Sequence, residues 1–137
     1  MTRKVLFAVP LVAGAALLSF AAQSQEAEDR PGAKARPAEV VGEAVNCVAT
    51  SRINRTVVHD DYTIDFVMKG GDVYRNTLPA RCPQLGFEER FAYEVSSSQL
   101  CAPETIAVIT AGMPRGGPRC SLGQFTPVRY TGDAGTR

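Results

Sequence analysis

A chain of 137 residues with 45% apolar content supports one domain with a modest core. Its formal charge of +1 becomes −1 once the first 24 residues, which hold Arg3 and Lys4, are set aside, because 13 basic side chains then face 14 acidic ones. Such a balance lacks the clustered Lys and Arg that a phosphate backbone demands, which excludes nucleic acid as an expected partner.

Residues 1–24 read as a signal peptide: Arg3 and Lys4 form a basic end, an uncharged stretch follows from Val5 to Gln25, and cleavage fits after Ala21 or after Ser24. The apolar part, Val5 to Phe20, falls short of the roughly 20 residues of a spanning helix and contains Pro10 and Gly14. No membrane insertion is expected after cleavage, and the location is periplasmic or secreted. Residues 25–44 mix charges, alanines and two prolines without apolar spacing, as a flexible leader does. Val40, Val41 and Ala44 could share one face of a short helix over Ala38 to Ala44.

Residues 45–128 carry period-2 patterns and form a single β-rich domain. Ile53 to His59 reads as a strand, followed by an Asp60-Asp61 turn and a hairpin over Tyr62 to Leu78 around Lys69-Gly70-Gly71. A three-residue loop with Gly71 left-handed sets Phe66 opposite Tyr74 and Tyr62 opposite Leu78 on one face, with Asp65 opposite Arg75 and Thr63 opposite Thr77 on the other. A two-residue loop would mix polar and apolar partners on both faces, so the three-residue loop is favoured. Asp65 and Arg75 are then expected as a solvated cross-strand pair, with Tyr62, Ile64, Phe66 and Met68 buried. Arg90 to Val95, Thr105 to Thr110 and Arg119 to Val128 complete the strands, with Gly123 marking a bulge or close approach. Ser96 to Gln99 reads as a turn, helix is limited to the leader or to Gln84 to Glu89, and residues 129–137 read as a flexible tail. Five or six short strands indicate a mostly β fold, a small antiparallel barrel or sandwich.

Cys47, Cys82, Cys101 and Cys120 are spread through this domain, and in an exported chain they form a disulfide framework. None has a partner at the close spacing of a structural zinc site. Of three connectivities, Cys82 with Cys101 and Cys47 with Cys120 is favoured.

Cys82-Pro83-Gln84-Leu85, Leu100-Cys101 and Cys120-Ser121-Leu122-Gly123-Gln124-Phe125, with the Asp60-Asp61 turn before a hairpin, carry a resemblance. Over roughly Val45 to Val128 the chain resembles a domain-of-unknown-function family of small exported bacterial proteins. The resemblance implies a periplasmic location and the cysteine framework, and it brings no catalytic residue, substrate or cofactor.

His59, the single histidine, sits beside Asp60 and Asp61, where a hydrolytic or metal-dependent enzyme could place a base or a ligand. Adjacent residues of a strand face opposite ways, so a surface turn is the favoured reading there. Gly112 to Arg119 offers backbone amides with Arg115 and Arg119 to an anion, yet it lacks a P-loop ending and reads as a hairpin loop. Asn54-Arg55-Thr56 matches a glycosylation acceptor, a pattern short enough to arise by chance. No paired nucleophile and base stands out, and no cofactor is expected. The expectation is a non-catalytic binding or interaction module of the cell envelope, its partner an envelope protein or a small ligand, with the His59 enzyme as alternative.

Overall fold

The computed structural model describes residues 30–113 and 116–132, so the signal-peptide segment, Arg115 and residues 133–137 lie outside the described residues. The chain is mostly β, built of antiparallel sheets that do not close into a barrel. Ten strands occur among the described residues, more than the sequence pattern suggested; five of them hold only three residues, too few to show alternation.

The main sheet has the order β1-β10-β5-β4-β3, from β1 (Ala38–Val40), β10 (Phe125–Tyr130), β5 (Val73–Thr77), β4 (Thr63–Met68) and β3 (Ile53–Val58). The β4–β5 hairpin has the expected register, with Phe66 opposite Tyr74, Asp65 opposite Arg75 and Thr63 opposite Thr77. Gly71 has φ +100° and donates its N–H to the Met68 carbonyl at 3.0 Å, which closes the three-residue loop. Ile64 and Phe66 are fully buried, and Phe66 packs edge-on to Phe125 at 5.3 Å between ring centroids. Two smaller sheets cover this core face: β2 (Cys47–Ala49) with β7 (Gln99–Cys101), and β6 (Phe91–Tyr93), β8 (Thr105–Val108) and β9 (Arg119–Ser121). Their Val48, Leu100, Ile106 and Val108 join the core.

The stretch expected as one strand from Arg119 to Val128 is two strands in different sheets, parted around Gly123. A Cβ at Gly123 would run into the Thr77 carbonyl oxygen, so the expected close backbone approach is real. The Asn76 side chain fixes this crossing, donating to the Gly123 carbonyl at 2.7 Å and accepting its N–H at 2.9 Å.

The favoured cysteine connectivity is overturned: Cys47 bonds Cys101 and Cys82 bonds Cys120. Cys47 and Cys101 stand directly opposite in the β2–β7 pair, 4.0 Å apart at Cα, a neighbourhood that sequence separation cannot reveal. Closing loops of 54 and 38 residues stabilises the fold by about 4 kcal/mol each in chain-entropy terms. No helix among the described residues is long and apolar enough to cross a membrane.

The leader and the tail also depart from expectation. Ala38–Val40 is not helical; it pairs as β1 with β10, and β10 runs on to Tyr130. Ahead of it, residues 30–36 turn through hydrogen bonds from Ala33 N–H to the Arg30 carbonyl and from Ala35 N–H to the Gly32 carbonyl, both 3.0 Å. This turn lies over the second face of the main sheet. Composition suggested a tether because the segment has little apolar surface; its anchors are backbone and charged groups.

Candidate functional site

Thr63 and Asp65 alternate with the core residues of β4 and so project from the second face of the sheet, where solvent was expected. Both are instead fully buried. The solvated Asp65–Arg75 pair is therefore corrected: the carboxylate is the centre of a closed polar cluster. Arg75 Nε and Nη2 donate to its two oxygens at 2.8 and 2.9 Å, the forked geometry that makes Arg–carboxylate pairs strong. Tyr130 donates its O–H at 2.9 Å from β10, and His59 Nε2 lies 2.7 Å from Oδ2. An ionised carboxylate only accepts, so His59 Nε2 carries the proton in this contact.

Three of these four contacts converge on Oδ2, from His59, Arg75 and Tyr130, and the fourth, from Arg75 Nε, holds Oδ1. Burial would raise the Asp65 pKa, but hydrogen bonds from Arg75, His59 and Tyr130 and the charge of Arg75 outweigh it and hold the value at about 2. The hydrogen bond to Asp65 leads the interactions that raise Arg75 above its ordinary value. Burial, with the bond to Asp65 and its charge, pushes Tyr130 up to about 12. At neutral pH the cluster is a fixed Asp⁻–Arg⁺ pair with a neutral phenol. Thr63 Oγ1, buried on the same face, has no hydrogen-bond partner among the described residues.

Residues 30–36 fasten to this cluster from above. Arg75 Nη2 also donates to the Arg36 carbonyl at 2.8 Å, and the Arg36 guanidinium lies 4.3 Å from the centre of the Tyr130 ring. Beyond it, the Thr131 N–H bonds the Pro37 carbonyl at 3.0 Å.

The residues singled out in the sequence are distributed differently. His59 pairs with Asp65, six residues on, and not with its neighbours. Asp60, 6% exposed, accepts the Tyr62 N–H at 2.8 Å, and Asp61 accepts the Gly86 N–H at 2.8 Å and Arg81 Nε at 3.0 Å. Both carboxylates thus brace turns, as Asp does at chain reversals. Arg119 is an exposed residue of β9, paired through its backbone with Ala107. Cys82 is fully buried, and all four cysteines are in disulfides. No group of three or more His, Cys, Asp or Glu among the described residues is placed to hold a metal ion.

Tyr130 and Arg36 were missed. The available signal was the apolar set Val57, Val67, Val73 and Val128 on the supposedly solvent face, which marks a sheet covered on both sides.

No family model, no curated protein and no solved structure matches this chain.

Proposed function

We propose that this chain is a non-catalytic, exported binding or interaction module of the cell envelope, presenting a disulfide-pinned scaffold to an envelope protein or a small ligand. The observation that carries this reading is the enclosure of Asp65, which has no solvent exposure and is held by four hydrogen bonds. A carboxylate so enclosed presents no exposed edge to a metal or a substrate, and at a pKa of about 2 it is a weak base. His59, its partner, is held in the same cluster. The chemistry-bearing side chains of this sheet face are thus spent on rigidity, which is what a binding surface needs. Two disulfides suit an oxidising compartment, and the basic end followed by an apolar run supports export to it. The resemblance of the cysteine motifs to small exported bacterial proteins favours the periplasm.

Native mass spectrometry of the protein isolated from its own compartment tests the reading. A mass above that of the bare disulfide-bonded chain is expected, with the same addition in a His59→Ala variant. A bare-chain mass, or a hydrolytic activity that His59→Ala abolishes, would contradict it.

A further inference from the structure

An open cleft of about 510 Å³ lies beside the covered cluster, within the size range of small-molecule sites. Val73 and Val128 give it apolar lining, Tyr130 an aromatic one, and Arg36 and Arg129 bring two cations against the single acid Asp72. Arg129 is engaged by Glu39 at 3.2 Å. Arg36 has no carboxylate partner among the described residues. Its guanidinium lies over Tyr130, so one face of the fork is on the ring while its N–H edges remain for an acceptor in its own plane.

The buried cluster holds this cation in place. The Arg36 carbonyl is fixed by Arg75, and the Tyr130 ring is fixed by its O–H on Asp65, so backbone and platform are tied to the same carboxylate. Such support is how a site keeps an anchor positioned before its ligand arrives.

We infer that the cleft binds a small organic carboxylate with an aromatic body, the carboxylate paired to Arg36 and the ring resting against Val73, Val128 and Tyr130. A planar fork suits a planar carboxylate, and the Val73, Val128 and Tyr130 side of an otherwise largely polar lining suits a flat apolar body. Asp65, Arg75 and the Tyr130 hydroxyl act as positioning groups. The inference rests on the reading of the chain as a binding module.

Naphthoate and its uncharged analogue naphthamide, titrated into the intact disulfide-bonded protein and followed by amide NMR, provide the test. Saturable naphthoate binding is expected, with shifts centred on Val73, Val128 and Tyr130 and with naphthamide weaker by about tenfold. Arg36 is exposed, so Arg36→Ala should keep the folded spectrum and lose about tenfold in affinity. Tyr130→Phe should keep the ring but weaken binding, and added salt should weaken it further. Equal binding of acid and amide, unchanged affinity in Arg36→Ala, or no saturable binding would each overturn the inference. If binding fails while native mass spectrometry still finds a partner, the cleft is removed and the module reading stands. Loss of both removes both.

Discussion

Arg75 grips Asp65 with both arms of its fork, at 2.8 and 2.9 Å, across a strand pair whose Asp65 member has no solvent exposure. Removing the carboxylate would leave a guanidinium largely enclosed and without its counter-charge. Asp65→Ala is therefore expected to lower stability by about 3 kcal/mol, read as a fall in the urea midpoint at unchanged slope.

The same pair sets a pH dependence. Asp65 has its folded pKa depressed from 3.8 to about 2, so its stabilising contribution is fully present above pH 4 and is lost as pH falls through 2. That contribution is about 2 kcal/mol by linkage. Urea unfolding between pH 5 and pH 2, taken as about the window of this titration, should show the loss, and Asp65→Asn should flatten that part of the profile.

Peptide mapping without reduction is expected to recover Cys47 linked to Cys101 and Cys82 linked to Cys120. Replacing either pair by Ser should lower stability by about 4 kcal/mol in the chain-entropy estimate, measured by denaturant unfolding.

The Asn76–Gly123 crossing gives a further expectation. Gly123→Ala drives a methyl group into the Thr77 carbonyl, and Asn76→Ala strands both backbone groups of Gly123. Each change should lower the urea midpoint by the equivalent of about 2 kcal/mol, whereas Gly116→Ala, whose nearest neighbour is the Met113 side chain at ordinary contact distance, should be much milder.

The sequence was legible where two local constraints agreed. In the β4–β5 hairpin, the glycine-containing loop and the apolar alternation demand one register, and the strands adopt it. It was not legible where the cover came from far along the chain. Thr63 and Asp65 look solvated beside Ile64 and Phe66, because nothing local shows that residues 30–36 will lie over them or that Tyr130 will reach in from β10. Strands β2 and β7 hold only three residues each, too few for a period, and missing them hid the pairing of Cys47 with Cys101. His59 was read beside Asp60 and Asp61 with a surface turn favoured, yet its partner is Asp65, the third residue of β4 and outside the turn.

The central claim is that the Asp65 cluster is locked as an ionised, buried support held by four hydrogen bonds and is not an acid–base pair poised for chemistry. Its most direct test is the carboxyl-carbon NMR titration of Asp65 in the folded protein. A midpoint at about 2 is predicted. A midpoint at or above the ordinary carboxylate range of about 4 would contradict it, because the carboxylate would then be free to exchange protons with a substrate.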